Sequence, residues 1–412
     1  MTDLYVHVGL AKTGTTAVQR ALETCDELPR FGLSFPGPRH HDQRLAAYDL
    51  LGRRIRGDAS DRAPGAFPRL VAAIDSCSTP RAVVSEELLA LARPRQVRRL
   101  ARAVDSHSLS LVVSVRDLGR TLVSSWQQEV RNGKAFSWRE YAEAVRGQGQ
   151  GGSRAGVAFW LRHDVFRVLD AWESVVPRSR VHLVTVPPPG TSSQQLMVRF
   201  ADVLGVPPDL LAKKSASHNA SWGAAQVELL RRLNEQLGRD LNRRPYLQVV
   251  SRGLGPGVTS GPSRELRLPA EDLPWITQLA EDVIDGLASR GYQVHGDLAD
   301  LLPTASPEPG GRRLDDVTDA ELLAAAERGL TSLALAHGHL VTRHRRVVAK
   351  RGEKVSTRER ASSSMRATGF RVKESALEAS DRSRVLGWIA RQYLRLTSGR
   401  RHEGPPRDEE TG

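Results

Sequence analysis

Short apolar runs alternate with amphipathic stretches along most of the chain. Residues 4–8, 81–85, 110–115 and 181–186 are strand-length runs rich in Val and Leu. A further extended run, Phe31 to Phe35, is closed by Pro36-Gly37-Pro38. Between these runs, helical patterns cover 15–25, 43–56, 66–77, 95–104, 118–131, 158–175 and 194–204. Helices are also predicted over 222–237 and 271–290, the latter closing the globular part. The Gly- and Pro-rich stretch 251–263 between them reads as a loop. Strands separated by helices define an α/β class, a central parallel sheet with helices on both faces. Such sheets bind ligands beyond the carboxyl ends of their strands. Three polar signals fall at those ends: Lys12, Ser85-Glu86 and Arg116.

The pattern divides the chain into a domain over 1–302, a linker over 303–317 and a mostly helical, basic extension over 318–412, expected to be partly disordered. The linker contains Thr304-Ala-Ser-Pro-Glu-Pro-Gly-Gly311. In the extension, helices are predicted over 318–336 and 382–397. Gln148-Gly-Gln-Gly-Gly-Ser153 reads as a mobile loop within the first domain.

Composition adds bounds. The 412 residues are 40% hydrophobic, enough for a sizeable core. Cys25 and Cys77 are too few for a disulfide framework or a Cys-rich metal site. No signal-peptide pattern precedes the first strand, and no apolar run is long enough to span a bilayer. A soluble cytoplasmic protein is therefore expected. The net charge is +13, and residues 343–373 hold eleven Lys/Arg against two Asp/Glu. Such a run attracts anionic surfaces, or is a solvated tail. Farther on, Val385, Trp388, Ile389, Tyr393 and Leu396 share a helical face flanked by Arg382, Arg384, Arg391 and Arg395. Residues 343–400 are thus a candidate peripheral contact with an anionic membrane. The apolar stripe fits packing on the first domain equally well. No specific nucleic acid is expected as a partner.

The loop after the first strand carries the densest chemistry. Gly9 and Gly14 have the spacing of a nucleotide-binding P-loop, but Thr15 stands where that motif has its lysine. The lysine, Lys12, comes two residues before the second glycine. Backbone N–H groups at Gly14, Thr15 and Thr16 can still bind a phosphate at a helix N-terminus. Lys12 can reach the oxygen that bridges this phosphate to a transferred group. The competing reading is a plain strand–turn–helix corner, with Thr15 or Thr16 as its cap. Arg116 ends a buried strand, and Ser124 lies two turns into the next helix, so the two can form a second anion site. Alternatively, Arg116 pairs with Asp117.

Two phosphate sites and a shifted lysine resemble the sulfotransferases that use 3′-phosphoadenosine 5′-phosphosulfate (PAPS). The family's 5′-phosphosulfate loop is written Pro-Lys-Ser/Thr-Gly-Thr-Thr. Here it reads Ala11-Lys12-Thr13-Gly14-Thr15-Thr16, with alanine for proline. The family's 3′-phosphate motif is an arginine followed eight residues later by a serine, the spacing of Arg116 and Ser124. The resemblance covers roughly 4–300, is strongest in the first 130 residues, and does not extend to the C-terminal extension. It implies a sulfotransferase fold related to P-loop NTPases, with PAPS as cosubstrate and no metal required. Lys12, Thr13, Gly14, Thr15, Thr16, Arg116 and Ser124 would bind the donor. The acceptor would be a hydroxyl, or less readily an amine, of a carbohydrate, glycolipid or small metabolite.

Transfer to a hydroxyl needs a proton acceptor. Val83-Val84-Ser85-Glu86-Glu87 resembles the Ser-Ser-Glu segment of bacterial members, which makes Glu86 the expected base. Glu87 is the alternative, or a first-turn helix carboxylate. His40 and His41 follow the Phe35-Pro36-Gly37 turn, and His41 and Glu87 are candidate acceptor-site residues. Asn219 and Ser221, before the helix at 222, fit either a nucleotide contact or a helix cap. Rival readings are a P-loop kinase or NTPase, and a non-catalytic protein that binds nucleic acid or membrane through its basic tail.

Overall fold

Strand β1 (Asp3–His7) leads through a loop into α1 (Thr15–Glu23). The two-residue β2 (Leu33–Ser34) is followed by α2 (His40–Leu51) and α3 (Ala66–Asp75). β3 (Arg81–Ser85) passes through a 3-10 turn (Glu87–Leu91) to α4 (Pro94–Ala103), and β4 (Ser108–Val115) leads to α5 (Leu118–Arg131). Helices α6 (Trp138–Arg146), α7 (Arg154–His163) and α8 (Val165–Glu173) precede β5 (Val181–Thr185). Then come α9 (Gln195–Leu204), α10 (Pro208–Ala212), α11 (Ala224–Leu237), α12 (Arg243–Leu247) and α13 (Gly255–Thr259). α14 (Leu273–Ala288), β6 (Gln293–His295) and α15 (Asp319–Lys350) complete the order. The structure, a computed structural model, describes residues 2–37, 39–53, 63–148, 153–192, 194–212, 222–237, 243–303 and 314–350.

The strands form one parallel sheet in the order β2-β3-β1-β4-β5-β6. β1 lies between β3 and β4, and the chain leaves it in opposite directions to reach them. The ends of these three strands therefore border the crevice where open α/β sheets take ligands. Alternate strand residues serve two cores. Leu4, Val6, Ala82, Val84, Leu111 and Val113 pack with α2, α3, α4 and α8. Val83, Val112 and Val184 pack on the other face with α1, α9 and α10. A third cluster, around Trp126, Trp138 and Tyr141, joins α5, α6, α7 and α11.

One polar bridge crosses the second core. His7 Nδ1 lies 2.7 Å from Ser85 Oγ and Nε2 lies 2.8 Å from Ser114 Oγ, so the ring links β3, β1 and β4. It also stands edge-on to Phe200. Burial pushes its pKa down to about 3. The imidazole is therefore neutral, donating from one nitrogen and accepting at the other.

The structure departs from the sequence pattern in three places. The helix expected over 158–175 is two helices, because Asp164 is extended and its carboxylate accepts from Arg167 N at 3.0 Å, starting α8 anew. The stretch expected as a loop over 251–263 begins as helix, a π-helical turn (Gln248–Leu254) followed by α13. Its glycines serve close packing: a Cβ on Gly257 would collide with the Arg328 carbonyl of α15. β6 lies beyond the predicted close of the globular part; it is short and largely exposed, so it carries no apolar run to betray it.

The chain divides into two units after His337, and of the second the structure describes residues 338–350. In the first unit, Leu322 and Ala325 of α15 are buried, and Ser332 Oγ donates to Gly253 O at 2.7 Å. No helix among the described residues is long and apolar enough to cross a membrane. The helix predicted over 382–397, the basic stretch past 350, the linker at 304–311, most of 148–153, and Asn219 and Ser221 lie outside the described residues.

Three buried histidines make stability depend on pH. Burial lowers His7 and His163 to about 3 and His182 to about 4. Below the ordinary value of 6.5 the unfolded chain takes up these protons while the folded chain does not. Stability should therefore fall with pH across that window, by up to about 1.4 kcal/mol per pH unit per histidine. Urea midpoints measured from neutral to mildly acidic pH check this, and His7→Gln should flatten part of the slope.

Candidate functional site

The loop after β1 turns on two left-handed residues, Lys12 (φ 70) and Gly14 (φ 82). Gly14, rather than a threonine, is the N-cap of α1, and no side chain caps it. First-turn N–H groups of a helix have no partner within the helix, so those of Thr15 and Thr16 are oriented for an anion. The loop is held from within by Thr13, whose Oγ1 donates to Leu10 O at 2.7 Å and lies 3.4 Å from Thr15 Oγ1. Thr13 and Thr15 are buried and Thr16 is exposed. Both glycines are closely packed. A Cβ on Gly9 would lie 2.7 Å from Thr15 Oγ1, and one on Gly14 would lie 2.6 Å from Leu196 Cδ2.

Arg116, at the end of β4, reaches across to this loop: its Nη1 donates to the Lys12 carbonyl at 3.0 Å. Asp117 is not its partner. That carboxylate caps α5 by accepting from Arg120 N at 2.8 Å and also pairs with the Arg120 guanidinium. Arg116 Nε is buried without a partner. Burial, then repulsion from Arg120, lowers the guanidinium's pKa to about 10, so it stays a cation at neutral pH. An unspent donor on a buried cation suits an incoming anion.

Arg116 and Ser124 line the same cavity, of about 550 Å³, with Arg120, Gln127 and the 265–268 segment as further walls. Ser124 Oγ meanwhile donates to Thr121 O at 3.1 Å. One turn farther along α5, Gln128 Oε1 accepts from Lys12 Nζ at 3.1 Å. Burial first, and then Arg131, push the Lys12 ammonium's pKa down, while Glu87 opposes them. Ser124, Gln128 and Arg131 recur at helical spacing, so α5 turns one polar face to the loop. The sequence reading missed Gln128, Arg131 and the 265–268 wall. The first two were detectable from that spacing; the wall depends on how distant segments pack.

The residues after β3 divide their roles. Glu86 is 2% exposed and caps the 3-10 turn, with Oε1 accepting from Leu88 N at 3.1 Å. Its Oε2 lies 3.1 Å from His40 Nε2, at ion-pair distance but off the hydrogen-bond line. Glu87 is exposed to solvent along part of its side chain, while the surrounding protein partly desolvates its carboxylate. That desolvation, then Glu86, raises its pKa, while Arg44, Lys12 and His40 pull it down. His41 is exposed, and it is His40 that meets Glu86.

No family model matches this chain, and no curated protein sequence does. Among solved structures, it is similar to a sulfotransferase from Alicyclobacillus acidocaldarius at 15% identity, over 61% of this chain and 95% of that one, with a TM-score of 0.37. It is also similar to the sulfotransferase domain from the curacin biosynthetic pathway at 13% identity, over 71% and 98%, with a TM-score of 0.32.

The loop geometry is testable through stability. Gly14→Ala combines a left-handed alanine with a close contact and should cost about 2–3 kcal/mol. Gly190→Ala, at φ 85 with open space around it, should cost only about 1–2 kcal/mol. Urea titrations of both variants separate the two terms.

Proposed function

We propose that this protein transfers a sulfuryl group from PAPS to an acceptor hydroxyl. One observation carries the reading: Arg116 holds the lysine loop through the Lys12 carbonyl and lines one cavity with Ser124. Two anion sites so linked suit a nucleotide with phosphates at both the 5′ and 3′ positions. The Thr15 and Thr16 amides would take the 5′-phosphate, and Arg116 with Ser124 the 3′-phosphate. Lys12 would leave Gln128 for the oxygen bridging phosphorus and sulfur, where negative charge grows as the bond breaks. The acceptor oxygen would attack sulfur from the opposite side, with catalysis resting on position and charge rather than on a covalent intermediate. A carbohydrate, glycolipid or small metabolite would supply that oxygen.

The kinase reading fares worse. It wants a lysine directly after Gly14, where Thr15 stands, and a free carboxylate at a strand end to hold a metal. Asp117 is committed to capping α5 and to Arg120, and Glu86 to Leu88 N and His40, so of these strand-end carboxylates Glu87 alone is open.

Thermal-shift titrations should show stabilisation by PAPS and by adenosine 3′,5′-bisphosphate. Stabilisation by ATP with Mg²⁺ but not by the bisphosphate would overturn the proposal. Arg116→Gln should weaken bisphosphate binding by about 1.5–3 kcal/mol, as calorimetry would read. Lys12→Ala should keep its fold and bind the bisphosphate, yet lose PAPS turnover.

A further inference from the structure

We propose that His40 is the group that takes the acceptor's proton, with Glu86 as its positioning residue. The proposal rests on the sulfuryl-transfer reading above and revises the role expected for Glu86. That carboxylate is 2% exposed, with one oxygen spent on Leu88 N and the other facing His40 Nε2 at 3.1 Å. An acceptor hydroxyl cannot approach a carboxylate so enclosed. The imidazole is the more open partner, its side chain 20% exposed against 3% for Glu86.

The surrounding structure fixes this pair. Glu86 N donates to His7 O at 3.1 Å, anchoring the residue beside β1. His40 opens α2, and its N–H donates to the Glu23 carboxylate at 3.3 Å. One turn on, Gln43 ties α2 to β3, accepting from Ser85 N at 2.9 Å and donating to Pro36 O at 2.9 Å. Helix and strand end are thus locked together, as a carboxylate–histidine pair requires if the carboxylate is to orient the ring. Glu86 faces the imidazole, Glu87 interacts with it electrostatically, Glu23 meets the His40 backbone N–H, and Arg44 acts on Glu87. Glu87, next in the chain to Glu86, feels the charges of both His40 and Lys12, and Glu86 itself is tied to the end of β1 from which the lysine loop departs.

The step balances without a further reactant. The acceptor oxygen forms a bond to sulfur, and the bond from sulfur to the 5′-phosphate oxygen breaks. Its electron pair leaves on adenosine 3′,5′-bisphosphate, next to Lys12. The acceptor proton passes to the His40 nitrogen turned away from Glu86, and the carboxylate steadies the imidazolium until it loses the proton to solvent.

The test compares two probe acceptors in the full chain with PAPS: cyclohexanol, which must lose its proton during attack, and para-nitrophenol, which is largely ionised at mildly alkaline pH. His40→Gln and His40→Ala should lower kcat on cyclohexanol on the order of 10²–10⁴-fold. Both should lower it far less on para-nitrophenol, and free imidazole should restore part of the alanine variant's rate. Glu86→Gln should lower kcat with little change in KM and move the acid limb of the pH–rate profile to lower pH. Calorimetric binding of adenosine 3′,5′-bisphosphate should match wild type in all three. Equal losses on both acceptors without imidazole rescue, or unchanged turnover, would overturn the assignment. So would Glu87→Gln producing the acceptor-dependent pattern instead. If wild-type protein fails to bind the bisphosphate, the sulfuryl-transfer reading itself falls.

Discussion

The site depends on one hydrogen bond, from the Arg116 guanidinium to the carbonyl of Lys12. Lys12 carries a conformational cost: at φ 70 its Cβ crowds the backbone, at about 1–2 kcal/mol. A charge-assisted bond contributes roughly what that conformation costs. The bond turns the loop so that the Lys12 side chain reaches α5 while the following amides open α1. The Arg116 side chain also lines the Ser124 cavity, and its Nε is buried without a partner. A single cation therefore joins the lysine loop to the cavity that Ser124 lines.

Beneath the loop, a polar bridge adds to the apolar packing of the sheet. The His7 bridge spans the three strands whose ends form the site, and burial keeps its ring neutral. A charged ring there would add to the positive field of Lys12, Arg116 and Arg131. The same economy governs acidic residues. Asp117 and Glu86 are turned inward as caps, which removes them from competition with an anionic ligand. Among the described residues named at these strand ends, Glu87 is the carboxylate left open to solvent, and partial desolvation, then the like charge of Glu86, raises its pKa.

Much of the fold was legible because burial leaves a periodic mark. β3, β4 and β5 are apolar on both faces, as strands covered by helices must be, and α5 begins and ends where its pattern predicts. β6 left no mark because it pairs at an exposed edge, where side chains need not be apolar. The division of 158–175 was hidden because Asp164 restarts a helix without disturbing the apolar spacing. The glycines of 253–257 suggested a loop, although small residues also let two helices approach closely.

By itself, the chain's sequence determined the parallel sheet, the lysine loop and the spacing of Arg116 and Ser124 along β4 and α5, because each depends on neighbours or on periodicity along one segment. Only the tertiary structure decided that Arg116 grips Lys12, that Gln128 holds its ammonium, and that Glu86 is sealed against His40. Those partners lie 104, 116 and 46 positions apart, and no local pattern encodes which strand end meets which helix. Sheet order and register bring them together, and burial then determines which carboxylate can meet a substrate.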